Sequence, residues 1–336
     1  MDESSLSPLI RHGYLAVDLF FVLSGFVLAM NYGKAFRNGF SWQSYVAFLT
    51  KRIARTYPLY LFFTTILAVV LVLWGGARIL GGDFLSLLTA NTLMIQTWGI
   101  APSIVSPGWS LSAEWAAYLL FPALTCFLLY GRKALAVTGA IFCLICLVAV
   151  SVSDASIIVG SQPHRHGPLD LYSYDSPAPV LRCIAGFGLG LLSFRLRDES
   201  VVRYFLGDPG TSYIVCAGVL VMLCIPQSDI AMVILFPALI ICLSFQRGLL
   251  ARMLGSKAIF SIGVWSYSIY LLHRPFIIMQ DEIAERMTHY GSISAKSIAT
   301  TVTLVVIVAL SAVAYRLIEN PGRGFMNRFF KRDSSS

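Results

Sequence analysis

The chain has 336 residues, 57% of them hydrophobic and only 12% charged, with a mean hydropathy of +0.74. A soluble domain carries roughly 25% charged residues, so this composition excludes an ordinary soluble enzyme and calls for helices that face lipid. The formal net charge of +8 does not indicate nucleic-acid binding, because the basic residues stand mostly in short loops between apolar runs, where membrane topology accounts for them.

A helix needs about 20 apolar residues to cross a bilayer. Candidate spans lie at 13–32, 54–74, 84–98, 112–130, 134–152, 180–195, 211–226, 229–245, 258–279 and 297–318. The run 84–98 is the weakest, being short and holding Asn91, Thr92 and Gln96. The pattern predicts an all-α polytopic membrane helix bundle with about nine full spans plus one short or re-entrant helix. It forms a single transmembrane domain over 13–323, after a short polar segment 1–12 and before a basic polar tail 324–336.

Loop charge sets orientation. If 84–98 does not cross, one face receives seventeen of the 25 Lys and Arg residues, among them Lys51, Arg52, Arg55, Arg132, Arg323 and Arg328. The opposite face and its boundary receive seven, including Arg11, Arg78, Arg182 and Arg274. The basic face is expected to be cytoplasmic, and the C-terminus with it. If 84–98 did cross, the asymmetry would collapse. This topology puts residue 1 on the far side, which creates an expectation of one further span upstream. No cleavable leader is legible, since the first apolar run contains Asp18 and no small-residue cleavage site follows it.

The longest outer loop, 153–179, carries His164 and His166 among several prolines. Two histidines two residues apart lack the ligand count of a dedicated metal site, so a solvated loop is expected, and no metal. Seven cysteines lie in apolar stretches, and Cys143-x-x-Cys146 has no second pair; they read as lipid-phase residues rather than a zinc or redox site. The chain has no P-loop, zinc-protease motif, nucleophile elbow or dinucleotide fingerprint.

Charged groups inside apolar helices are costly and therefore mark candidate functional positions. Asp18 lies in G-Y-L-A-V-D-L-F-F-V-L-S-G-F, where Ser24 and Gly25 would let another helix approach closely. Asp18, near the outer end of its helix, reads either as a site carboxylate, as an interface carboxylate or as the structural partner of an arginine. Arg52 and Arg55, in K-R-I-A-R-T-Y-P-L-Y, share a helix face and read either as a membrane anchor or as a fork for phosphates. In P-G-W-S-L-S-A-E-W-A-A-Y, Glu114 and Tyr118 share a face, Ser110 is a candidate N-cap, and a carboxylate is also favoured by the nearby helix N-terminus. Ser266, Tyr270 and His273 form a polar stripe, either packed hydrogen-bonding residues or the wall of a polar cavity. Glu319 and Arg323 close the last span in Y-R-L-I-E-N-P-G-R, where a helix-terminal ion pair is the simpler reading.

In this order, these runs resemble the acyltransferase-3 family, with L-R-C-I-A-G-F-G-L-G at 181–190 and the closing E-x-P-x-R also matching, so that the resemblance covers 13–323. It implies a membrane-bound acyltransferase, in a bacterial inner membrane, that moves an acyl group, usually acetyl, from cytoplasmic acyl-CoA to a hydroxyl of a cell-surface glycan. Acyl-CoA is then a co-substrate, no cofactor is bound, and the partners are the bilayer, the donor and the glycan. The candidate catalytic residues are His273, Glu114 and Asp18; the candidate substrate-binding residues are Arg52, Arg55, Trp109, Ser110, Tyr118, Ser266, Tyr270, Glu319 and Arg323. The family's first span normally carries a basic residue and a catalytic histidine. No such helix precedes residue 13, and His12 matches a loop position, so the chain as written is expected to be catalytically incomplete. A transporter or flippase, or an inactive or structural family member, are the competing readings.

Overall fold

The computed structural model describes residues 12–73, 83–152, 167–170, 176–246, 248–287 and 292–333. His164 and His166 lie outside them. Among the described residues there is no strand, and the secondary structure is helical. In chain order the helices are α1 (Ala16–Tyr32), α2 (Trp42–Leu73), α3 (Phe84–Thr92), α4 (Gly108–Leu124), α5 (Lys133–Val152), α6 (Ala178–Leu196), α7 (Ser200–Leu206), α8 (Pro209–Met222), α9 (Asp229–Phe245), α10 (Leu249–Leu254), α11 (Lys257–Met287), α12 (Ser292–Ala314) and α13 (Asn320–Asp333). Short 3₁₀ turns, Gly13–Leu15 and Gly33–Phe36, extend α1 at both ends. Thr125–Leu129 and Tyr315–Glu319 are π-helical turns that continue α4 and join α12 to α13.

Six described helical segments are long and apolar enough to cross a membrane: 13–36, 42–73, 108–129, 133–152, 178–196 and 298–330. The pair α7 and α8, bent by 73°, makes a seventh if counted as one span. Among the described residues these segments make up the expected all-α polytopic bundle. A break at Gly207 and Asp208 separates α7 from α8, and the apolar α9 has 17 residues. Helix α3, within the short element expected at 84–98, has nine residues, and at about 1.5 Å per residue it is far too short for a hydrocarbon layer of about 30 Å.

The chain divides into two compact units. The first comprises Met1–Phe48, Thr89–Ser103 and Trp109–Arg252. Its central pair is α1 against α6. Their approach is set by glycine: a Cβ on Gly25 would lie 2.1 Å from the Phe187 carbonyl oxygen, and one on Gly190 would lie 2.0 Å from that of Val22. Backbone therefore meets backbone, the arrangement by which membrane helices gain dispersion energy when lipid supplies no hydrophobic drive. Phe21, Val22, Phe26, Phe187 and Leu189 fill the space around the crossing. Helix α5 flanks α6, and α8 pairs with α9.

The second unit comprises Leu49–Leu88, Ile104–Gly108 and Met253–Ser336, in which α11 pairs with α12. Here Gly322, at the start of α13, seats on α2: a Cβ there would lie 2.5 Å from the Pro58 Cβ.

Gly190→Val forces backbone apart at the α1–α6 crossing. Overpacking of this kind costs about 1–3 kcal/mol or more, so thermal unfolding in detergent should occur at a clearly lower temperature than for Gly188→Val. That second glycine faces the Cys143 thiol and a Leu128 methyl, which are side-chain ends able to shift.

Candidate active site

In the first unit, Asp18 lies in the first turn of α1 and its carboxylate is met by Arg182, which projects from the first turn and a half of α6. Arg182 Nε donates to Asp18 Oδ1 at 2.7 Å and Nη2 to Oδ2 at 2.6 Å, with both side chains 1% exposed. This is the two-pronged geometry that a guanidinium makes with a carboxylate. The Trp109 ring lies 5.6 Å from the Arg182 guanidinium carbon, a cation–π contact on the same cation. Trp109 also meets Phe21 edge-on.

Glu114 is buried two turns into α4, and Ser24 Oγ donates a short hydrogen bond to its Oε1. Tyr118, one turn further on, is buried edge-on to Phe48 and Trp115. Helix α4 begins at Gly108, so the buried Ser110 lies within its first turn; the expected N-cap role does not hold, because Pro107 and Gly108 turn the chain two residues earlier than the sequence pattern placed the boundary. The segment after α3 is tied to this same turn. Trp98 Nε1 donates to the Ser112 carbonyl at 2.9 Å, and the Thr97 amide donates to Ser112 Oγ at 3.2 Å.

A second polar knot sits beside the ion pair. Tyr14 Oη and the Leu169 amide both donate to Asp229 Oδ2 at 2.8 Å, and Asp229, at the first position of α9, is fully buried. His12 is buried, its ring 6.1 Å from that of Tyr14.

In the second unit, Arg52 and Arg55 are one turn apart on α2, Arg52 half-buried and Arg55 exposed. Three contacts fix this turn. Tyr267 Oη donates to the Thr56 carbonyl at 2.5 Å, Thr56 Oγ1 donates to the Arg52 carbonyl at 3.1 Å, and Gly322 covers Pro58. Glu319, the last residue of the π turn, is buried and accepts from Ser268 Oγ at 2.7 Å. Arg55 and Arg323 both lie within electrostatic reach of its carboxylate.

His273 is half-buried on α11, with Nδ1 2.6 Å from the Tyr270 carbonyl oxygen. Only a protonated Nδ1 makes that contact favourable, so a neutral His273 keeps its lone pair on Nε2. The Tyr270 ring is 5.5 Å away. Ser266, expected on the same stripe, is exposed; the buried serine of this helix is Ser268, about 200° around the axis from it at 100° per residue.

The sequence-profile comparison describes an acyltransferase domain over residues 3–316. The chain belongs to the acyltransferase-3 family. Among curated relatives of this family, the chain is 26% identical over 343 residues to the acyltransferase MdmB of Streptomyces mycarofaciens, covering 94% of this chain and 82% of that one. It is 25% identical over 350 residues to YrhL of Bacillus subtilis, a proposed peptidoglycan O-acetyltransferase. That alignment takes in 95% of this chain but only 52% of YrhL, so the chain spans about half of that relative. Over 59 residues it is 49% identical to protein 2 of the picA locus of Rhizobium radiobacter. No solved structure matches the chain.

Arg182, Tyr267, Ser268 and Asp229 were not among the expected site residues of this acyltransferase-3 chain. Arg182 had a legible signal, being the one charge between Asp175 and Arg195 in an otherwise apolar and glycine-rich run. Removing one partner of a buried ion pair strands the other and costs about 3–5 kcal/mol, whereas replacing both with apolar residues is often close to neutral. Asp18→Leu and Arg182→Met are each expected to lower the yield of folded protein sharply. The double variant should recover most of it, as read by size-exclusion profile and thermal midpoint.

Proposed function

We propose that this membrane acyltransferase moves an acyl group, most simply acetyl, from acyl-CoA on the cytoplasmic side to a hydroxyl of a cell-surface glycan, with its C-terminus cytoplasmic. The observation that carries the reading is the family match over residues 3–316 joined to the built arginine turn of α2. Two guanidinium forks one turn apart on a packed helical turn suit a diphosphate such as that of CoA. Transfer breaks the thioester C–S bond and forms an ester C–O bond. The acceptor hydroxyl gives its proton to a base, and that proton ends on the CoA thiolate. The thioester is already activated, so the chemistry asks of the protein a base and donors for the developing oxyanion.

Residues are assigned by what each can do. Arg52 and Arg55 hold donor phosphates, with Glu319 and Arg323 beside them. His273, whose Nε2 is the available nitrogen, takes the acceptor proton or holds the acceptor, and Tyr270 and Ser266 flank it. In the first unit, Glu114 with Trp109, Ser110 and Tyr118 forms a polar, aromatic-walled set suited to sugar hydroxyls. Asp18 acts by holding Arg182. The O-acetyltransferase named for YrhL and the acyl transfer named for MdmB support the reaction class.

Purified protein in nanodiscs should bind acetyl-CoA, and Arg52→Ala and Arg55→Ala should each weaken that binding by roughly ten- to a hundred-fold, the scale of a lost charge-assisted contact. Wild-type affinity in both would refute the donor site. Consumption of acetyl-CoA coupled to glycan O-acetylation separates the enzyme from a transporter of similar build. In that assay His273→Ala should lose about 10²–10⁴-fold in rate if it is the base; full activity removes it from the site.

A further inference from the structure

In the first unit, the ends of α6, α8 and α9 carry a group of residues that acyl transfer leaves unused. Helix α7 stands at 73° to α8, and α8 pairs with the apolar α9, so α7 runs closer to the membrane plane than across it. Its apolar residues face two ways. Val202 and Leu206 pack on the core, while Val201, Tyr204 and Phe205 are exposed, the two rings edge-on at 5.1 Å. Aromatic residues placed like these sit at headgroup level. Arg203 of α7 and Arg197, just past the end of α6, converge on one ring: their guanidinium carbons lie 5.8 Å and 4.9 Å from the centroid of Phe245, the last residue of α9. Arg197 Nη2 also donates to the Ser244 carbonyl at 3.4 Å. Gln246 Nε2 donates to Ser212 Oγ at 2.8 Å, and Ser212 Oγ to the Pro209 carbonyl at 2.6 Å, which ties the end of α9 to the start of α8. Arg203, Gly207, Pro209, Phe245 and Gly248 line an open cavity of about 380 Å³. Two guanidiniums drawn to one ring repel each other, and among the described residues neither is paired with a carboxylate. Asp208, next to the cavity in sequence, is engaged in capping α8, where it accepts from the Thr211 amide at 3.0 Å.

We propose that this cavity binds the phosphate of an anionic phospholipid, with Arg197 and Arg203 as its cations and Phe245 as the ring that holds both in place. Guanidinium forks match phosphate oxygens, and one negative headgroup relieves the repulsion between the two. Gly207 and Gly248 leave two walls of the cavity without side chains, so a headgroup can come close to the backbone there. The exposed Val201, Tyr204 and Phe205 offer its acyl chains an apolar edge beside the cations, which a soluble anion would not use. Basic pockets between membrane helices bind anionic headgroups in this way. The site stands apart from every residue assigned to the donor or the acceptor, and its ligand would fasten α7 and the α8–α9 pair to one leaflet.

The test uses the full chain in neutral detergent, titrated separately with phosphatidylglycerol, phosphatidylcholine and glycerol 3-phosphate. Binding is read from the rise in thermal midpoint that a ligand of the folded state produces. Phosphatidylglycerol is expected to raise the midpoint in a saturable way, and the other two are not. Arg197→Gln and Arg203→Gln keep much of each stem against Phe245 and should unfold at the wild-type temperature without lipid. Each should weaken phosphatidylglycerol binding about fivefold, the scale of one basic residue at an anionic headgroup. Phe245→Leu, which removes the ring but keeps an apolar side chain, should weaken it at least as much. Arg132→Gln, an exposed cation elsewhere on the basic face, should leave it unchanged. Equal stabilisation by phosphatidylcholine would show only an apolar lipid contact and overturn the proposal. Equal stabilisation by glycerol 3-phosphate would make this a site for soluble anions and overturn it too. An equal loss in Arg132→Gln would show diffuse attraction to negative lipid rather than a site, and wild-type affinity in both Arg197→Gln and Arg203→Gln would remove the cavity from lipid binding.

Discussion

The first unit is organised by one buried ion pair. Asp18 and Arg182 each belong to a helix that is otherwise apolar, and either charge alone would be costly to bury there. Together they satisfy both oxygens of the carboxylate and two nitrogens of the guanidinium. The glycines make this possible. With Gly25 and Gly190 bringing the two backbones into contact, the side chains about two turns away need span only a short gap. The charge pair fixes the register of α1 on α6, and the glycine contact fixes their distance. Trp109 then closes over the cation and carries the pair's influence to the first two turns of α4, where Ser110 and Glu114 stand.

The second unit uses the same principle with different parts. Its close approach is glycine on proline, Gly322 against Pro58, and its buried carboxylate is Glu319. Proline inside α2 leaves that helix without one backbone donor, and the nearby Thr56 carbonyl takes up the Tyr267 hydroxyl. In each unit a small residue admits a neighbouring helix, and an acidic side chain close to that contact is paired inside the unit. In both units a buried carboxylate thus stands close to a point where a small residue has let helices pack together.

Much of this was legible from the residues. Asp18, Glu114 and Glu319 were all singled out because charge is costly in apolar helices, and all three are buried. The alternative reading of Asp18 as the partner of an arginine is the arrangement observed. What could not be read was which arginine, since Asp18 and Arg182 are separated by 164 positions and nothing in local periodicity links them. Ser268 was passed over for Ser266 because a stripe drawn through Tyr270 and His273 selects one face of α11, while the π turn that uses the opposite face leaves no mark in hydropathy. Hydropathy likewise registers apolar residues but not the Gly-Asp-Pro break before α8, which ends one helix and caps the next through the Asp208 side chain.

The π turn at 315–319 also bears on how this chain tolerates change in length. Deleting one residue from an ordinary transmembrane helix rotates everything beyond it by about 100° and shifts it by about 1.5 Å. Here a single deletion within Tyr-Arg-Leu-Ile-Glu would relax the widened turn into regular helix, keep the backbone hydrogen-bonded throughout, and still swing Asn320–Asp333 onto another bearing. The segment therefore holds a spare residue whose loss would be nearly silent for helix stability and decisive for where the last fourteen residues of helix point. Homologous chains that differ by one residue at this place should be expected to differ in the direction of their C-terminal helix before they differ in fold.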